Sequence, residues 1–184
     1  MNRLTELTIE KAPDQSKKLF EEIKKSIGML PNIYKVIGNS PNALAAYLSF
    51  SESQKYGSFN SKEREAVYLA VSEENGCNYC LSAHTEIAIK NGFNEEETLQ
   101  LRAGTHNSRR ISIIINLAKS IIINRGKADE NLINAFYEAG YNSQALVDLV
   151  ALVVEQTFTN YIGRLSKPEI DFPRAKTLNL EILV

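Results

Sequence analysis

Tryptophan is absent from the 184 residues, and cysteine and histidine are limited to two each. Two thiols cannot build the disulfide framework of a small secreted domain, so an apolar core must hold this chain together. Its length allows that core to form as a single domain spanning residues 1–184. An excess of charge of one sign is also missing, since 21 basic residues face 22 acidic ones for a net charge of −1. Nothing in that balance marks a binder of DNA or RNA, and no nucleic-acid partner is expected. No run approaches the roughly 18 uninterrupted apolar residues of a membrane span, and the opening MNRLTELTIEKAPDQ lacks the apolar stretch of an export signal. The expectation is a cytoplasmic protein without a membrane partner. In a reducing compartment, a closely spaced cysteine pair serves catalysis or metal binding rather than a structural disulfide.

Period-two alternation is scarce as well, which argues against strands, and nearly every segment reads as helix followed by a helix stop. The expected fold class is all-α. Leu19, Phe20, Ile23 and Ile27 make one stripe that stops at Gly28, a short turn is expected from Pro31 to Gly38, and Pro41 begins the next helix. Asn60 or Ser61 caps a helix over 61–74, and Asn75-Gly76 turns the chain just before Cys77. Asn94 and Glu97 have capping-box spacing for a helix ending near Gly104. Residues 109–125 are apolar on too many faces for a surface helix, so they form a central helix or one sealed by another subunit. Asp129 caps a helix up to Gly140, Ser143 opens a long one through Gly163, and residues 164–184 are expected to form an extended tail.

Both cysteines fall within EAVYLAVSEENGCNYCLSAH, residues 65–84, together with a histidine and a carboxylate. On a helix, His84 lies one turn beyond Cys80 and two beyond Cys77, on roughly one face. Thiolates are favoured in a first helical turn by its unpaired N–H groups and positive dipole end. His84 can take a thiol proton, and Glu65 on the preceding helix can orient the imidazole or accept the proton onward. A thiolate attacking a hydroperoxide becomes a sulfenic acid, and a second cysteine in reach condenses with it to a disulfide. Proximity to His84 favours Cys80 as the attacking residue and Cys77 as the resolving one, although thioredoxins use the first cysteine of such a pair. No second dithiol exists in the chain to reopen the bond, so an external reductant is implied. Tyr68 and Tyr79, near the motif, are candidates to line a substrate pocket, with a core role for each as the competing account.

These residues resemble the AhpD-like alkyl hydroperoxidases of the carboxymuconolactone decarboxylase superfamily, in its peroxidase-related branch. The resemblance rests on LAVSEENGCNYCLSAH with SKEREAV upstream, and extends to GMLPNIYKVIGNSP, LVDLVALVVEQTFTNYIGRL and IDFP, covering most of the chain. It implies that Glu65, Cys77, Cys80 and His84 are the catalytic residues, with the second cysteine attacking peroxide. It further implies an all-helical bundle assembled as a dimer, trimer or hexamer, an organic hydroperoxide substrate, no bound cofactor, and a lipoyl-type dithiol or lipoyl domain as reductant. The chain departs from the best-studied members at Tyr79, where they carry a histidine of the proposed proton relay.

Four other readings compete. The cysteines could be small core residues. Cys77, Cys80 and His84 could bind zinc with Glu65 or His106, though ligands crowded on one helical segment surround a tetrahedral ion poorly. A decarboxylase would leave the cysteine pair without a purpose, and a disulfide reductase or a redox-switch, stress-response protein would use the same pair with little peroxidase turnover. His106, in THNSRR, reads as a solvated or helix-start side chain, Arg109 and Arg110 as surface charge, and Asn160 as a polar residue of open role within an apolar helix.

Overall fold

The computed structural model describes residues 4–179 and, among them, contains nine α-helices and no strand. The helices are α1 (Asp14–Ile27), α2 (Asn32–Ile37), α3 (Pro41–Ser53), α4 (Ser61–Glu74), α5 (Asn78–Lys90), α6 (Glu95–Ala103), α7 (Arg109–Ile123), α8 (Glu130–Glu138) and α9 (Ser143–Ser166). Their ends follow local chemistry. Asn60 and Asn94 each accept from the backbone N–H three residues on, while Glu63 and Glu97 reach back to complete capping boxes. Each such cap contributes on the order of 1 kcal/mol. Gly28 and Gly104 close α1 and α6 at φ of 81° and 88°, a conformation that a Cβ disfavours.

Two expectations are corrected. The segment from Pro31 to Gly38 is not a simple turn but contains α2, which buries Ile33, Val36 and Ile37. Six residues are too few for helical periodicity to show, and Pro31 before the helix reads as a turn signal. The last long helix continues past Gly163 to Ser166, so the tail begins at Lys167; residues 180–184 of the expected tail lie outside the described residues. Gly163 does not end the helix because it is a close-packing position, as its surroundings below make clear.

α4 is the axis of the bundle. Ala66, Val67, Leu69, Ala70 and Val71 are all fully buried, and the larger of these contribute about 1.5–3 kcal/mol each. Around α4 pack α5, α6, α7 and α9. α7 buries Ile111, Ile113, Ile114, Ile115, Leu117 and Ile121, so its unusual apolarity is accounted for within one chain. α9 is long and apolar enough to cross a bilayer by composition. It is nevertheless a core helix, since Glu155, Gln156, Thr159 and Asn160 are buried within the bundle, while Val147, Val150, Val154, Tyr161 and Leu165 are exposed. A second apolar cluster, built from α1, α2 and Leu44 of α3, includes Cys77, Tyr79 and Cys80. The amino-terminal helices therefore roof the cysteine motif.

Candidate thiol site

Cys77 is the N-cap of α5 and Cys80 lies in its first turn. The two sulfurs are joined as a disulfide, with Cα atoms 5.3 Å apart, and the Cys77 sulfur accepts the Cys80 N–H at 3.3 Å. A backbone donor aimed at this sulfur favours negative charge on it once the bond is opened. Both cysteines are buried.

The expected neighbours converge. His84 Nδ1 lies 2.8 Å from Glu65 Oε2, linking α5 to α4. An ionised carboxylate only accepts, so the proton in this bond sits on Nδ1 and Nε2 remains free as a base. His84 and Cys80 together line a cavity of about 350 Å³ whose other walls include Ile33, Tyr34, Tyr47, Ile87 and Phe172. The lining is largely apolar, with aromatic rings on two sides.

The two tyrosines divide. Tyr79 does line this cavity, and its hydroxyl donates to Asp171 Oδ1 at 2.7 Å and accepts the Ile33 N–H at 3.3 Å. Burial and the Asp171 carboxylate push its phenol far above the ordinary range, so the proton stays on oxygen. Tyr68 is not among the cavity residues. Its ring lies 5.0 Å from the His84 ring, and its hydroxyl donates to Glu155 Oε2 at 2.5 Å.

Three participants escaped the sequence reading. Glu155 is 3 % exposed, and burial holds its carboxyl above the usual range against the opposing bonds from Tyr68 and Ser51 and the nearby His84. Through Ser51 the hydrogen bonding continues to Tyr47 and then Tyr34 on the cavity wall. A carboxylate followed by glutamine, directly after the apolar run 149–154 of α9, was the available signal. Asp171 also accepts the Asn32 N–H at 2.8 Å, so it clamps α2 and Tyr79 together from the tail. Gly163 is the third: a Cβ there would lie 2.9 Å from the Cys77 sulfur.

Other candidates lie elsewhere. His106 is not solvated; it lies in the loop just before α7, accepting the N–H of the N-cap residue Ser108 at 2.9 Å and meeting Phe93 edge-on. It is therefore not a fourth ligand beside the cysteines, and no group of three or more metal-ligating side chains converges among the described residues. Arg110 lies over Tyr141, 4.3 Å from its ring centre. Asn160 is a structural hub: it accepts from Asn75 at 2.9 Å and donates to Ser72 at 3.1 Å, and Ser72 also accepts from Gln156 at 2.8 Å. That network fixes the turn from which Cys77 emerges.

The helical bundle, whose central hairpin presents a cysteine pair beside a Glu–His couple, has the AhpD-like fold. Residues 41–105 match the model of the carboxymuconolactone decarboxylase family. Among solved structures, the chain is similar to the alkylhydroperoxidase AhpD core of an uncharacterized peroxidase-related protein from Ralstonia eutropha JMP134. That likeness has a TM-score of 0.79 at 18% identity and covers 93% of this chain and 92% of the other. The debrominase Bmp8, in complex with 2,3,4-tribromopyrrole, is similar at a TM-score of 0.78 and 18% identity, covering 93% and 92%. Uncharacterized protein YdfG of Bacillus subtilis (strain 168) is 25% identical over 127 residues, 67% of this chain and 86% of that protein. The chain thus has the fold of these AhpD-like structures, and its residues 41–105 carry the sequence pattern of the carboxymuconolactone decarboxylase family.

Proposed function

We propose that the protein is a thiol peroxidase that reduces organic hydroperoxides through Cys77 and Cys80. The observation that carries this reading is the single cavity shared by Cys80 and His84, with Glu65 holding the far side of the imidazole at 2.8 Å. His84 Nε2 takes the Cys80 proton, and the thiolate attacks the distal peroxide oxygen. The O–O bond breaks and the alkoxide leaves as the alcohol with that proton. Cys77 then condenses with the Cys80 sulfenic acid, water departs, and the disulfide forms. An apolar, aromatic lining suits an alkyl or aryl hydroperoxide better than hydrogen peroxide.

The Tyr79 hydroxyl, already donating to Asp171, is a poor replacement for a relay histidine. Glu155 is better suited: a carboxyl whose hold on its proton is strengthened by burial, hydrogen-bonded to Tyr68 beside His84, can serve as a proton reserve for the imidazole. An external dithiol of lipoyl type reopens the bond, and no bound cofactor is needed.

The test follows peroxide loss and intact mass of the reduced protein with tert-butyl hydroperoxide and dihydrolipoamide. Turnover and loss of two hydrogens are expected, with Cys80→Ser inert and Cys77→Ser stopping at a trappable sulfenic acid. If neither cysteine is oxidised, the reading is wrong; if oxidation occurs without turnover, the pair is a redox switch. The likeness to a debrominase adds a halogenated pyrrole to the substrate panel.

A further inference from the structure

The disulfide can be reached from two sides. The apolar cavity touches Cys80 and not Cys77. A second recess of about 430 Å³ touches Cys77 and not Cys80, and it is lined by Gly76, Asn78, Gly163, Arg164, Lys167 and Pro168 among others. Its chemistry is opposite in character: two cationic side chains and no carboxylate line it. A neighbouring recess shares Gly76 and Asn78 and adds Arg174 to the same edge, where the other cations of that recess, Arg102 and Lys176, are bonded to Glu73 and Glu95. Gly163 keeps this side thin, because even a methyl group at that position would press on the Cys77 sulfur.

We infer that this recess is a separate reductant entrance, which admits a small carboxylate-bearing thiol to Cys77 while the oxidant uses the Cys80 cavity. The inference rests on the pair being the working dithiol proposed above. The incoming thiolate attacks the Cys77 sulfur, forming a mixed disulfide, and the electron pair of the broken bond leaves on Cys80 as a thiolate. A second thiolate from the reductant then displaces Cys77, so two electrons pass to the pair and the reductant departs as its disulfide. Cys80 is released facing His84 and the empty oxidant cavity. Arg164 and Lys167 attract the carboxylate and lower the barrier to bringing a second anion, the thiolate, beside the sulfur.

The experiment measures reduction of the oxidised protein by alkylation and mass, using thioglycolate, 2-mercaptoethanol and cysteamine at equal thiolate concentrations. At low ionic strength thioglycolate is expected to react about tenfold faster than cysteamine, and salt should bring the rates together. The order should invert in the Arg164→Glu/Lys167→Glu protein. Should that variant fail to fold, Arg164→Gln with Lys167→Asn keeps the backbone's left-handed turn at 167 (φ 49°) accessible and should abolish the preference. The site of exchange is read separately with dithiodiglycolate, the disulfide of thioglycolate: the lone Cys77 thiolate of Cys80→Ser should attack it, keeping one half as an adduct and releasing thioglycolate, faster than the lone Cys80 of Cys77→Ser does. Rates insensitive to thiol charge, or adducts favouring Cys80, would overturn the inference. Peroxide does not enter these readouts, so a protein inert to peroxide that keeps the charge order would sink the peroxidase and leave the entrance standing.

Discussion

Replacing Gly163 by alanine adds one methyl group to α9, and in an ordinary helix that change stabilises by up to about 1 kcal/mol. Here the new carbon would lie 2.9 Å from the Cys77 sulfur and 3.7 Å from both the Cys80 sulfur and Ile33 Cδ1. Ordinary contact begins near 3.4 Å, so helix or sulfur must move by 3.4 − 2.9 = 0.5 Å. The sulfur has little freedom, being bonded to Cys80 and accepting its N–H. Overpacking of this kind costs about 1–3 kcal/mol, which exceeds the propensity gain. A net loss of about 1–2 kcal/mol corresponds to a fall in Tm of roughly 2–8 °C for a domain of this size. Calorimetry of the oxidised and reduced proteins is the assay. The deficit should shrink on reduction, because a free Cys77 thiol can rotate away. If Gly163→Ala melts at or above the parent in both states, the contact does not constrain the site as argued.

Glu155→Gln keeps a partner for Tyr68 without a titrating group. Because burial raises the folded-state pKa of Glu155 above its unfolded value, the folded chain binds more protons between the two, and stability falls as pH rises through the folded value. The variant's Tm should exceed the parent's by more at pH 8 than at pH 5, and a pH-independent gap would contradict the assignment. Tyr79→Phe removes one donor to Asp171 and one acceptor for Ile33, costing about 1–3 kcal/mol, and should speed tryptic cleavage at Arg174 and Lys176 in limited proteolysis. Homo-oligomer formation is proposed through α9, whose exposed Val147, Val150, Val154, Tyr161 and Leu165 follow one another at steps of 3, 4, 7 and 4 residues, the spacing of a helix-pairing seam. Val154→Lys should then reduce the mass measured by light scattering to that of one chain, whereas an unchanged mass would exclude this face.

How much could be read beforehand depended on how local the signal was. The capping box at Asn94, the left-handed stop at Gly28, the helix end at Gly104 and the turn at Asn75-Gly76 each lie within a few residues and appear where spacing placed them, while of the two cap candidates Asn60 and Ser61 it is Asn60 that caps, with Glu63 completing a box. The Glu65–His84 bond was legible because one hairpin carries both residues. α2 was hidden by its brevity and by the proline before it. Tyr68 and Glu155 are 87 residues apart, and Tyr79 and Asp171 are 92 apart, so no window along the chain could pair them. Only the packing of α9 and the tail against the central hairpin brings those partners in.

The clamp at Asp171 also orders events during synthesis. Its partner Asn32 lies 139 residues earlier, so the reactive pair and its histidine leave the ribosome well before the wall around Tyr79 can close. Through that interval the nascent chain carries the cysteine pair and the Glu65–His84 couple in an incomplete enclosure. A chain stopped short of Asp171 would thus retain Cys77, Cys80, His84 and Glu65 while losing the carboxylate that ties α2 to Tyr79.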